Sequence, residues 1–247
     1  MKTPYDSREK WLIQAVKFDG VIYLDKTRKQ QKFQGKHGEV TQQSYCTLKF
    51  VWMFTDRDQS EMNEHEKYFI VWKSQFGDHN LLTFNEIVAV DGLGQFIDMK
   101  VVPSYFTFDY EKATFKSKKA FRQRMLKWWC NSVILGNKQV VIGKRNVNNI
   151  LTEIETKTME DVITYCKPQW SQHKCMDFLN RFLDFVKQNV NDELEVYQFD
   201  YNTGQDYINC FNVGPNEKFD VLPEWFIQRQ KKMQNCNNDV MDFGVSD

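Results

Sequence analysis

Polar and apolar positions along the chain change period several times, and each change marks an element. Residues 11–24, WLIQAVKFDGVIYL, read as strand material, with Ala15 to Phe18 and Val21 to Leu24 flanking a bulge at Asp19-Gly20. Asp25 to Val40 is rich in Lys, Gln and Gly and reads as a mobile loop. From Thr41 to Asp56 the spacing of Tyr45, Leu48 and Trp52 approaches 3.6 and predicts a helix. Polar residues up to Lys67 then lead into a strand, Tyr68 to Lys73. Between Asn85 and Val102 two strand-like runs, FNEIVAV and QFIDMKVV, stand either side of Asp91-Gly92-Leu93-Gly94, a hairpin signal.

Lys112 to Gly136 predicts a long helix ending at a glycine, with an apolar stripe of Phe121, Met125, Trp129 and Val133 joined by Leu126 and Cys130. A second hairpin is expected from Gln139 to Lys144 and Ile150 to Lys157, around Asn146 to Asn149. Gln172 to Val190 has Cys175, Phe178, Leu179, Phe182, Val186 and Val190 on one side of a helix. A strand pair and Leu222-Pro223-Glu224-Trp225-Phe226 close the fold, and the Asn- and Asp-rich stretch from Gln234 onward reads as a disordered tail. No internal repeat interrupts this order. Residues 1–233 are expected as one domain and 234–247 as its tail.

Composition narrows the functional classes. Lys plus Arg and Asp plus Glu are equal at 33 each, so a polyanion can be held only where cations cluster locally. The polar start, Met1 to Lys10, has no apolar core of the signal-peptide kind, and no apolar run has the length of a membrane span. The six cysteines (Cys46, Cys130, Cys166, Cys175, Cys210 and Cys236) form no C-x-x-C pair, which argues against a zinc site and a disulfide framework. A reducing compartment, nucleus or cytosol, fits that usage.

Nucleases that bind divalent metals on a sheet place an acid on one strand and an acid-x-lysine on its neighbour. Glu86 lies on the first run and Asp98-Met99-Lys100 on the second. Side chains two apart share a face, so with a three-residue loop at Gly92 to Gly94, Val88 pairs with Asp98 and Glu86 with Lys100. Such pairs also occur on solvated strand faces, so the pattern needs independent support.

Seven cations crowd the start of the long helix: Lys112, Lys116, Lys118, Lys119, Arg122, Arg124 and Lys127. Arg124, Lys127 and Asn131 share a face that can hold phosphates, or that is merely solvated. Trp128 is a stacking platform or a core residue.

These segments resemble the DXO decapping-exoribonuclease family in order. KTPYDSREKWLIQAVKFDGVIYL is similar to its TPY segment and following strand, FGDHNLLTFNEIVAVD to its "G-x-H-x-LL-x-x-G-E-V-D" strand, and FIDMK to its V-E-L-K. LKWWCNSVILGNKQVVIGKRN, TKTMEDV, CMDFLNRFLDFVKQ and LPEWF are similar to further family segments. The resemblance implies an α+β fold, a mixed, mostly antiparallel pair of β-sheets flanked by helices. It also implies a metal-dependent enzyme that removes incomplete or unusual caps from RNA 5′ ends and degrades 5′ to 3′. The family's upstream arginine motif has no counterpart, so an amino-terminally truncated domain is expected.

The resemblance places acidic ligands at Val51, Glu86, Val88 and Asp98, the lysine at Lys100 and a helix amide at Asn131. Val51 and Val88 are lost ligand positions, Asp98 shortens a glutamate and Asn131 a glutamine. Glu86 and Asp98 are then the metal candidates, for a single Mg²⁺ or Mn²⁺ if any. The expectation is an RNA 5′-end-binding protein without catalysis, comparable to a germline family member that protects piRNA precursors in the nucleus. Its partners would be RNA 5′ ends and nuclear RNA-processing or chromatin-associated proteins, with no membrane. An active divergent decapping nuclease and a protein-interaction module are the alternatives.

Overall fold

The structure, a computed structural model, describes residues 1–6, 9–26, 42–56, 67–108, 115–166 and 169–241, with the backbone alone at 42, 43, 115–117, 119 and 235–241. In chain order the elements are β1 (Trp11–Phe18), β2 (Val21–Asp25), α1 (Gln42–Met53), β3 (Tyr68–Phe76), β4 (His79–Ile87), β5 (Ala89–Val90) and β6 (Phe96–Pro103). There follow α2 (Phe115–Leu135), β7 (Gln139–Arg145), β8 (Leu151–Thr158), α3 (Met159–Cys166), α4 (Gln172–Asn189), β9 (Glu195–Tyr201), β10 (Asn209–Pro215) and α5 (Glu224–Met241). The strands form a sheet β10-β9-β1-β2, a ribbon β3-β4 and a sheet β5-β6-β7-β8. This is a mixed α+β fold. The chain divides into two compact units, Met1–Asp6 with Gln34–Asn180 and Ser7–Phe33 with Arg181–Asp247.

In the second unit, Asp19 and Gly20 both have positive φ, 54° and 71°, and Phe18 pairs with Val21. The expected bulge is instead a two-residue hairpin turn, because paired positive φ values give the reversal whose twist suits the flanking strands. Glu193 accepts hydrogen bonds from the Asp19 and Gly20 amides at 2.8 and 3.4 Å. Phe182, Val186 and Val190 pack with Ala15, Tyr197 and Phe199. From Gln234 to Met241, where a disordered tail was expected, the backbone is helical as the end of α5; residues 242–247 lie outside the described residues, as does most of the expected loop before α1.

The first unit is organised around α2. Phe121, Met125, Leu126, Trp129 and Cys130 are buried as the stripe predicts, together with Trp128, against Val102, Val140, Ile142, Val162 and Cys175. Val133, expected to complete the stripe, is 37% exposed. The helix stops where Gly136 takes φ 72° and the Asn137 amide donates to the Ser132 carbonyl at 3.0 Å, closing the last turn through a residue without a Cβ. β6 and β7 run parallel, a pairing that needs a long crossover; α2 is that crossover. β7 and β8 form the expected second hairpin, its turn held by Asn146 Oδ1, which accepts from the Asn148 and Ile150 amides at 2.9 and 3.0 Å.

Candidate functional site

Asp98 and Lys100 lie two apart on β6 and share a face. Lys100 Nζ stands 2.6 Å from Asp98 Oδ1, and Asp98 is only 5% exposed. The ladder between β5 and β6 holds Ala89 opposite Ile97 and Val90 opposite Phe96. It closes through Asp91, whose carboxylate accepts from the Leu93 and Gln95 amides at 2.9 and 2.8 Å. The offset is the one expected, but the ladder stops short of Val88 and Glu86. Glu86 belongs to β4, opposite Phe69 of β3, and its carboxylate meets Lys67 Nζ at 3.3 Å. Glu86 and Lys100 are therefore not cross-strand partners, because the chain upstream of Val88 is committed to a different ribbon.

A cavity of about 300 Å³ nonetheless brings Glu86, Val88, Asp98, Lys100 and Asn131 to one place. Asn137 also lines it, a residue that sequence reasoning missed; it is 8% exposed and its Oδ1 has no hydrogen-bond partner. Nothing in its local sequence signals this role, since its position depends on how α2 ends.

The two positions without acids are part of a small apolar core. Val51 is 7% exposed and clusters with Phe50 and Met99, and Val88 packs against them. Gly143 on β7 makes room there, for a Cβ at that position would stand 2.9 Å from the Phe50 ring. The donor set does not fit a pair of divalent metals, which lie about 4 Å apart and share several carboxylates. Two carboxylates line the cavity, and each meets a lysine. Among the described residues no group of three or more His, Cys, Asp or Glu side chains is placed to hold a metal ion. Burial pushes the Cys130 thiol up to about 12 and those of Cys166 and Cys175 up to about 11.

The basic segment splits into unlike parts. Lys112 lies outside the described residues, as do the side chains of Lys116 and Lys119; Lys118 and Arg122 are half-buried. Arg124 is half-buried with its guanidinium 5.0 Å from the Phe106 ring centre, and burial lowers its pKa from the ordinary value, opposed by Tyr105. Lys127 is exposed. Arg124, Lys127 and Asn131 come together in a second cavity of about 380 Å³ with Lys2, Asp6, Lys100, Gln123, Leu126 and Trp128. Trp128 is 5% exposed and tilted against Phe106, which makes it a core residue with one edge on the cavity. Lys2 and Asp6 flank the TPY segment of the family likeness, but the sequence singles out neither as a site residue. Lys100 and Asn131 line both cavities, so the cation-rich space and the carboxylate-lined space meet at these two residues.

Comparison with known proteins gives the family and the fold. Residues 1–227 match the family described as RAI1 like PD-(D/E)XK nuclease. The chain is 26% identical over 244 residues to the decapping and exoribonuclease protein of Xenopus laevis, covering 91% of this chain and 60% of that protein. Against the human protein it is 24% identical over 246 residues, covering 92% and 61%. The chain thus spans about three fifths of the length of these curated relatives. Among solved structures, Candida albicans Rai1 in complex with pU5-Mn2+ superposes with a TM-score of 0.73 at 18% identity, over 94% of this chain and 71% of that one. Scheffersomyces stipitis Rai1 in complex with (3′-NADP)+ and calcium ion gives 0.72 at 15%, over 93% and 70%. These structural likenesses establish a common fold. No helix of the described residues is long and apolar enough to cross a membrane.

Proposed function

The chain belongs to the family of RAI1-like PD-(D/E)XK nucleases, and from that premise we propose that it binds RNA 5′ ends without cutting them. One observation carries the reading. Where the family resemblance calls for four acids, two remain, and both Glu86 and Asp98 are ion-paired to lysines while Val51 and Val88 sit against apolar core. A site so composed lacks the carboxylate charge that offsets paired metals, and it repels phosphate less.

Each residue then has a part in binding. Arg124 and Lys127 supply fixed positive charge on α2, Asn131 offers an amide where the two cavities meet, and Lys100 is held in place by Asp98. A role in protecting or scaffolding nuclear transcripts, piRNA precursors among them, with RNA-processing or chromatin-associated proteins as partners, is proposed on the family resemblance alone.

A second reading is favoured by the sharing of one cavity by Glu86, Asp98, Lys100 and Asn131. Under it the two carboxylates hold a single Mg²⁺ or Mn²⁺ with water at its remaining positions, and the chain is a divergent decapping nuclease. Incubation with 5′-monophosphate and capped RNAs in Mg²⁺ or Mn²⁺, beside an active relative, separates the two. Binding without product supports the first reading. Released cap or nucleotide establishes the second, and absence of any RNA binding leaves a protein-interaction module.

A further inference from the structure

One side of the β3-β4 ribbon is apolar and open to solvent. Phe69 and Val71 of β3 and Leu82 and Phe84 of β4 share that side, because side chains alternate along a strand, and each is between 49% and 73% exposed. Val71 stands opposite Phe84, and the Phe69 and Phe84 rings stack with centres 4.7 Å apart. The other side is apolar too: Trp72 packs edge-on against Phe96 of β6 at 6.0 Å between ring centres, and Ile70, Leu81 and Ile87 are half-buried. Strands with one solvated face alternate apolar with polar residues, whereas strands apolar on both sides are the kind that is covered on both. The four exposed side chains present about 400 Å² of apolar surface, a size at which exposed patches are often functional.

We propose that two copies of this chain pair through this face. Charge at the ends of the patch selects a second copy as the occupant. Lys73, opposite Leu82, is an exposed cation at one end, and Glu86, opposite Phe69, is an exposed acid at the other. A two-fold axis across the strands at the Val71 and Phe84 pair lays one ribbon reversed over the other. Each Lys73 then stands beside the Glu86 of the other copy, and Phe84 meets its own counterpart at the centre. Two ion pairs thus flank one apolar core, an arrangement complementary to itself. Glu86 meets Lys67 through Oε2 at 3.3 Å, and a carboxylate has a second oxygen to accept from another lysine. With the charged ends included, two copies bury about 1,000 Å² in total, the lower bound for a specific interface, so pairing is expected at micromolar concentration rather than as an obligate dimer. The pairing does not depend on RNA binding.

The test is sedimentation velocity on the whole chain, from submicromolar to high micromolar loading. The expected result is a monomer that gives way to a species of twice its mass and to nothing larger, since a two-fold contact closes on itself. Phe84→Glu sets two carboxylates together on the axis and should abolish the dimer at every loading. Lys73→Glu turns both ion pairs into repulsions and should weaken pairing about tenfold. Leu82→Ser, at the most exposed of the four apolar positions, removes apolar area without adding charge and should also weaken it. All three positions are exposed, so circular dichroism and melting curves of the variants should match those of the parent. A monomer at every concentration overturns the proposal and leaves the face to a different protein. A dimer that Phe84→Glu and Leu82→Ser leave unchanged overturns it as well, since the contact then lies elsewhere on the chain. Open-ended growth, the mark of pairing through the ribbon's edges, does the same. A dimer lost with Phe84→Glu but unmoved by Lys73→Glu overturns the two-fold register and its ion pairs.

Discussion

Lys100 Nζ lies 2.6 Å from Asp98 Oδ1, so the acid best placed to hold a metal is neutralised by its own strand. Asp98 is 5% exposed while the Lys100 side chain keeps 27%. Asp98→Asn should lower stability by about 1–3 kcal/mol, less than for a fully buried pair because water reaches the lysine. RNA affinity should be equal or slightly higher, since a carboxylate near phosphate is gone. Thermal melts and a binding titration on the same protein check both, and a large loss of affinity would instead favour a metal-bridged contact.

Restoring acids at the two apolar positions should recreate a metal site at a cost in stability. Val51→Glu with Val88→Asp places carboxylates beside Phe50 and Met99, where an unpaired charge is strongly disfavoured. The double variant should melt well below the parent in EDTA and recover with Mn²⁺, because metal binding adds to folding free energy. Calorimetry showing no metal uptake would mean that the pocket itself has been remodelled.

RNA binding should weaken with salt, with a log-log slope of about 0.7 per phosphate neutralised on a single strand. Replacing Arg122, Arg124 and Lys127 by Ala should lower both affinity and slope. Arg124 also packs on Phe106, so the triple variant loses stability as well. Lys127→Gln alone isolates the electrostatic part, and should reduce the slope by about one phosphate's share. An unchanged slope would make this face of α2 a solvated surface only.

The segment TKTMEDV includes a helix start as well as a family likeness. Thr158 Oγ1 accepts from the Asp161 amide at 3.0 Å, and Asp161 Oδ2 accepts from the Thr158 amide at 2.9 Å, a reciprocal cap on α3. The backbone hydrogen bond from Thr158 holds the Asp161 carboxyl below its ordinary pKa. A depressed folded-state pKa contributes stability that is present above the unfolded pKa and lost as pH falls through the folded one. Asp161→Ala should thus cost about 1 kcal/mol near neutral pH, with the difference from the parent shrinking in strong acid. Melting curves at several pH values measure it, and a pH-independent difference would rule out the ionic cap.

Local chemistry was legible in the sequence where one stretch of chain decides the outcome. The stripe of α2 as far as Cys130 and the helix stop at Gly136, the Asn146 turn and the Phe182, Val186 and Val190 side of α4 are each set by neighbouring residues, and each is found in the fold. The offset between Val90 and Phe96 was legible for the same reason, because a short loop leaves little choice of register. Where two local outcomes compete, pattern alone fails: Asp19-Gly20 suits a bulge or a turn, and only positive φ at both residues distinguishes them. Long-range pairing was not legible at all. Glu86 joins β3 because Tyr68 to Phe76 is there to pair with it, and β6 takes β7 as a parallel neighbour because α2 packs across and returns the chain. The same packing half-buries Arg124 on Phe106, leaves Lys127 exposed, brings Lys2 to the cavity and turns Asn137 toward the carboxylates. The residue types of the site were in the sequence, but their division into a cation-rich and an acceptor-rich space depends on distances between segments far apart in the chain, which only the tertiary structure sets.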